Sequence, residues 1–161
     1  MKTLVVYYSL EGNTKEAAET IAKELSADLL RLVPVKDTTK ERNFKFMIGG
    51  MKATFGMGTK LEAYDFNRNE YDQIILGTPV WASKPSLAVN QFLKETSNLD
   101  KITGVFTCSG GGDNDKCIMV LKKKIKNLKN EVALADKNNK ELAAKNEEKL
   151  SGFIKAVKEL R

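Results

Sequence analysis

Ser9-Leu10-Glu11-Gly12-Asn13-Thr14 is the stretch whose residue types and order can do chemistry. An apolar run, Leu4-Val5-Val6-Tyr7-Tyr8, leads into it. A helical pattern with Ala17, Ala18, Ile21, Ala22 and Leu25 on one face leads out. A strand, a loop of hydroxyl and glycine residues and then a helix build an anion site, because the first N–H groups of a helix lack intrahelical partners and carry partial positive charge. Gly12 permits a tight turn and close backbone approach. Ser9, Asn13 and Thr14 can add side-chain donors. No cation precedes Lys15 in the loop, so neutral hydrogen bonds and the helix end would do the binding. The same residue types are common N-caps, and a capped helix start accounts for the stretch equally well.

The elements that position this loop follow from the rest of the chain. At 161 residues the expectation is a single domain, 1–161, with an adequate hydrophobic core. No apolar run approaches the roughly 20 residues of a membrane span. The N-terminus enters a strand without a signal-peptide layout, so a cytoplasmic protein with no membrane association is expected. Cys108 and Cys117 are too few for a disulfide framework and read as free thiols. The chain has no histidine, which removes His-based triads, histidine-ligated zinc and a histidine general base. No clustered acidic ligand pattern points to a metal. The net charge is +6, but lysines mix with glutamates along the helices, a solvated face rather than a nucleic-acid stripe. Lys122-Lys123-Lys124, with Lys126 and Lys129, form a local basic face that a helix C-terminus explains.

Strands and helices alternate. Strands are expected over Thr3–Tyr8, Asp28–Val33 (ended by Pro34), Asp72–Gly77, Ile102–Thr107 and Val132–Ala135. Helices are expected over Thr14–Ser26, after Pro85 in a first turn, along Ile118, Leu121, Ile125 and Leu128, and along Leu150, Phe153, Ile154, Val157 and Leu160. Largely apolar strands joined by helices give an α/β parallel sheet covered on both faces, three layers in all. Residues 35–70 do not fit a short crossover; a helix interrupted at Gly49-Gly50 and then a loop are expected there, covering one face of the sheet.

Ligands of such sheets lie outside the carboxyl ends of the strands, where strand order reverses. Two further loops stand there. Gly77-Thr78-Pro79-Val80-Trp81-Ala82-Ser83 carries the sole tryptophan, a flat surface for a ring system. Cys108-Ser109-Gly110-Gly111-Gly112-Asp113 offers backbone donors without side-chain bulk. Other chemistries on similar sheets are excluded by residue type. A phospho-acceptor receiver needs acidic residues where Tyr8, Ser9 and Thr78 stand. A cysteine phosphatase needs an arginine where Asn114 follows Cys108. The lysine-bearing nucleotide loop is missing.

These three loops, in this order on these strand ends, resemble the flavodoxin family over essentially the whole chain. Ser9-x-x-Gly12-Asn13-Thr14 is similar to its phosphate loop, Gly77 to Trp81 to the loop that carries a flavin-stacking aromatic, and Cys108 to Gly112 to its second flavin-ring loop. The resemblance implies a doubly wound five-stranded parallel sheet of order 2-1-3-4-5 and noncovalent FMN. It implies a low-potential one-electron carrier between redox proteins, acting as a monomer. By it, Ser9, Leu10, Glu11, Gly12, Asn13 and Thr14 hold the phosphate. Thr78, Pro79, Val80, Trp81, Ala82 and Ser83, with Cys108, Ser109, Gly110, Gly111, Gly112 and Asp113, sandwich the ring, and no residue is catalytic. Glu11 replaces a frequent hydroxyl residue and is expected to turn to solvent while its N–H binds. The second ring loop lacks the tyrosine many members carry. Lys84 and Lys116 near the site should ease flavin reduction, and Asp113 and Asp115 oppose them. The alternative on the same fold is an NAD(P)H-dependent FMN or quinone reductase.

Overall fold

β1 (Thr3–Tyr7) is buried along its whole length and splits its side chains between two cores, as period-2 geometry demands. Leu4, Val6 and Tyr8 face one side, Val5 and Tyr7 the other. The computed structural model describes residues 1–35, 57–65, 67–97 and 99–160, without the Arg68 side chain. The helix expected around Gly49-Gly50 lies outside the described residues, as does Phe66.

β1 pairs in parallel with β2 (Asp28–Arg31) on one side and with β3 (Gln73–Trp81) on the other. β3 then pairs with β5 (Ile102–Ser109), and β5 with β6 (Asn130–Ala135), all parallel. A two-residue strand, β4 (Lys84–Pro85), folds back antiparallel on the end of β3. The path β2-β1-β3-β5-β6 is therefore the expected 2-1-3-4-5 order, with one short strand added.

α1 (Asn13–Leu25) and α5 (Asn146–Glu159) cover the Val5 side, where Ala18, Ile21, Phe106, Ile154 and Val157 interlock. α2 (Leu87–Glu95) and α3 (Asp115–Lys124) cover the other, packing Val89, Phe92, Cys117 and Leu121 on Leu4, Val6 and Leu76. A short helix, α4 (Lys140–Ala143), follows β6. Among the described residues no helix is long and apolar enough to cross a membrane.

The second expected strand ends at Arg31, the fourth runs on to Ser109 and the fifth begins at Asn130, and three further differences from the sequence expectation bear on the site. β3 does not stop at Gly77 but runs to Trp81, so the tryptophan ends a strand rather than riding a loop. Beyond Gly77 β1 has left the sheet, and Pro79 has only β5 beside it, an edge setting that tolerates a residue without an N–H. Pro85 is not in the first turn of α2; it pairs with Val80. Ser86 caps the helix instead, its hydroxyl accepting from the Val89 N–H at 3.4 Å. α3 ends at Lys124, yet Ile125 stays buried and Leu128 half-buried, because the extended chain keeps packing on the same core. The apolar period outlives the helix.

Gly77 sits where β3 crosses the Phe106 ring. A Cβ there would lie 2.1 Å from Phe106 Cζ. Gly77→Ala is expected to destabilise the fold by about 1–3 kcal/mol through overpacking, read as a lower denaturant midpoint at unchanged slope.

Candidate functional site

The cleft lies where β1 sends its neighbours to opposite sides of the sheet. It has a volume of about 260 Å³. Its lining comes from three strand ends already singled out: Ser9, Leu10, Glu11, Asn13 and Thr14 after β1; Pro79, Val80, Trp81 and Ala82 around the end of β3; Cys108, Ser109 and Gly110 at the end of β5. Asp136, just past β6, completes it.

The first loop decides between a self-capped helix and an open anion site. Gly12 is the N-cap of α1, in a left-handed conformation (φ 102°), and no side chain caps the helix. Ser9 spends its acceptor on the loop itself, taking the Gly12 N–H at 3.1 Å. Asn13 turns outward, and its Oδ1 accepts from the Lys137 N–H at 3.1 Å. The N–H groups of Asn13, Thr14 and Lys15 thus have no acceptor among the described residues. Each residue type that could have capped the helix is engaged elsewhere or, like Thr14, is buried beside Cys108.

The second wall is a hairpin. Val80 pairs with Pro85 and Trp81 with Lys84, leaving Ala82 and Ser83 as a two-residue turn. Both have positive φ, 47° and 62°, the backbone of a type I′ turn that glycine and asparagine normally fill. Trp81 meets Tyr8 edge-on, centroids 5.8 Å apart, which fixes the indole at the cleft. Thr78 and Ser83 do not reach it. Thr78 is fully buried, and its hydroxyl accepts the Ser86 N–H at 3.0 Å, tying the hairpin to α2. Ser83 sits exposed at the tip.

The third wall is braced from behind. Asn114, buried, donates to the Thr107 and Leu134 carbonyls at 3.0 and 3.3 Å, and its Oδ1 takes the Ser109 hydroxyl at 2.5 Å. Ser109 in turn accepts the Gly112 N–H at 3.0 Å. This closes the loop so that Gly111, Gly112 and Asp113 stand behind the cleft rather than in its lining. Gly12 contributes its backbone turn. Asn114, not Asp113, is the N-cap residue of α3.

Glu11 does not simply turn away. It lines the cleft, and its charge, after burial, holds the Asp136 carboxyl above the usual carboxylate range. Asp136 was not among the residues singled out from the sequence, because only the loops after the first, third and fourth expected strands were considered. Its signal, an acidic residue just past the fifth, is weak without the fold. Cys108 lies beneath the first loop; burial pushes its thiol up to about 12, the Thr14 hydroxyl pulling the other way. Among the described residues no group of three or more His, Cys, Asp or Glu is placed to hold a metal ion.

The sequence signature of the flavodoxin family matches residues 2–150. The chain belongs to that family. No curated protein matches it significantly. Solved structures do. A protein from Bacteroides eggerthii, provisionally assigned as a flavoprotein, is 27% identical, with 81% of this chain and 86% of that one covered and a TM-score of 0.71. A flavoprotein from Lactobacillus acidophilus, solved in complex with FMN, shares 22% identity over 92% of this chain and 97% of that one, TM-score 0.65. An archaeal flavodoxin shares 21% identity, with 89% and 92% covered and a TM-score of 0.52.

Both thiols are raised to about 12 by burial, Cys108 and Cys117 alike. A raised thiol stabilises the fold fully below its unfolded value, 9.0. That contribution is lost as pH climbs from there through about 12. Neither thiol should react with an aromatic disulfide reagent in the folded protein at neutral pH, and both should react in denaturant. A thiol count in each state checks this.

Proposed function

We propose that the cleft binds FMN noncovalently and that the chain serves as a one-electron carrier between redox proteins. The observation that carries the reading is the uncapped start of α1. Three backbone N–H groups without acceptors among the described residues lie at the crevice of a doubly wound sheet, the donor set of a phosphate site. Family membership and an FMN-bearing relative of the same fold support the nucleotide.

The residues fit the group. The amides of Asn13, Thr14 and Lys15 and the Ser9 hydroxyl hold the phosphate by neutral donors, suiting a loop whose nearest side-chain charge is the acidic Glu11. Trp81 and the Pro79–Ala82 backbone flank the ring on one side, and Ser109 and Gly110 on the other. A cleft of about 260 Å³ among the described residues lies just under the usual range of roughly 300–1,000 Å³ for ligand sites, and a flavin ring left partly open to solvent there would be reachable by a partner. That exposure suits electron exchange with a docked protein. Bound flavin supplies the redox chemistry, and the chain's task is to hold it and exclude competing reactions. The chain has no histidine, the Cys108 thiol stays protonated at neutral pH, and the titratable carboxyls among the described residues lining the cleft are those of Glu11 and Asp136.

Titration of apoprotein with FMN, followed by quenching of flavin fluorescence, should saturate at one equivalent. Riboflavin, which lacks the phosphate, should bind about a hundredfold more weakly, since charge-assisted hydrogen bonds contribute about 1.5–3 kcal/mol each. Trp81→Ala should weaken FMN about tenfold and, by losing the edge-on contact with Tyr8, lower the denaturant midpoint as well; Trp81→Phe should recover much of both. Failure to take up FMN overturns the reading. Rapid NADPH oxidation with a quinone acceptor would instead make the chain a reductase.

A further inference from the structure

Lysines converge in the groove between α2 and α3, outside the cleft lining and joined to it through the hairpin that carries Trp81. Lys84 stands opposite Trp81 in the hairpin. Lys124, the last residue of α3, donates from Nζ to Asn90 Oδ1 at 3.3 Å. Lys94 follows Asn90 by one helical turn on the same side of α2. Asn90 is buried, and its amide donates to the carbonyls of Pro85 and Met57 at 3.3 Å each. One buried amide thus floors the groove, holds a lysine and ties it to the hairpin.

The cations feel one another. Partial burial first, then the charges of Lys94 and Lys84, hold the Lys124 ammonium below its ordinary value. Among the described residues none of the three is in an ion pair, whereas Lys2, Lys15, Lys122, Lys137 and Lys158 are. Glu95 is engaged by the Tyr64 hydroxyl and the Gln91 amide. Like charges gathered at a partly desolvated surface repel, and a complementary anionic surface relieves that repulsion. A single small anion suits the groove poorly. Its cations come from three separate elements, and the first turn of α2 is already closed by Ser86.

We propose that the groove lined by Lys84, Lys94 and Lys124 is the docking surface for an acidic electron-transfer protein, whose carboxylates meet these lysines beside the Trp81 hairpin. The proposal rests on the electron-carrier reading. Continuity with the hairpin favours it over nucleic acid, because docking here sets a partner against the wall that flanks the cleft.

The test uses an acidic plant-type [2Fe–2S] ferredoxin as probe and titration calorimetry of the FMN-loaded chain at low ionic strength. The combined Lys84→Gln, Lys94→Gln, Lys124→Gln variant is compared with one that removes the same charge from the opposite face, Lys23→Gln, Lys145→Gln, Lys155→Gln. Affinity should fall about tenfold or more in the groove variant and change less than about twofold in the other. The difference should vanish near 1 M salt, where the Debye length is about 3 Å. Equal losses in both variants, no loss, or tighter binding of a duplex oligonucleotide through the same lysines would each overturn the proposal. Binding is scored by heat rather than flavin colour, and it stays readable in apoprotein. A chain that refuses FMN therefore sinks the cofactor reading separately.

Discussion

Unmet backbone donors at the start of α1 are the constraint around which the site is organised. Of Asn13, Thr14 and Lys15 only Thr14 is buried, and a helix that opens into a cleft without a side-chain cap offers its first N–H groups to an anion there. The site arises where it does for a topological reason. Right-handed crossovers send β2 and β3 to opposite sides of β1, and only at that reversal do the flanking connections part and leave room. Gly12, with its left-handed backbone, swings α1 away from the β1 axis there and aims its first turn into the opening.

Around those donors the loops are held mostly by carboxamides, with the Lys137–Glu16 ion pair tying the β6 loop to the first turn of α1. Asn114 ties the β5 loop to β6. Asn146 closes on Ala135 from both directions, at 3.0 and 2.7 Å. Asn139 reaches the Gly110 carbonyl at 3.2 Å, and Asn13 takes the Lys137 N–H. An amide both donates and accepts, so it can satisfy two backbone groups on different loops without the desolvation penalty of an ion. Rigid walls built mostly from neutral groups leave the electrostatics of the cleft to a few named charges, Glu11 and Asp136 among them.

The layers were legible because each strand is a short apolar run and each long covering helix keeps one apolar stripe; strand order and a phosphate role for the first loop came only with the resemblance to flavodoxins. Boundaries were less so. Trp81 stood among turn-forming neighbours, and nothing local reveals that β5 would continue beside β3 past the end of β1. Pro85 fits a helix start and an edge strand equally well by type, and the pairing with Val80 that decides it is non-local. In the sequence Asn114 carries no sign of a structural role beyond its loop, yet its three hydrogen bonds reach Thr107, Ser109 and Leu134. Asp136 reaches the cleft because β6 pairs with β5 as far as Ala135 and the Asp136 N–H donates to the Ser109 carbonyl at 2.8 Å, a non-local pairing. Side chains that act across loops carry no periodic signal.

The turn at Ala82 and Ser83 has one more consequence. Left-handed backbone at two successive residues with a Cβ costs about 1–2 kcal/mol apiece, and glycine at either would remove that cost. Glycine would also multiply the conformations open to the tip, and the tip carries Trp81 on one side and Lys84 on the other. By keeping alanine and serine there, the chain accepts a less stable native hairpin with few alternatives in place of a relaxed one with many. Selection acting on melting temperature alone would replace them. Selection acting on how reproducibly an aromatic face meets its ligand would not.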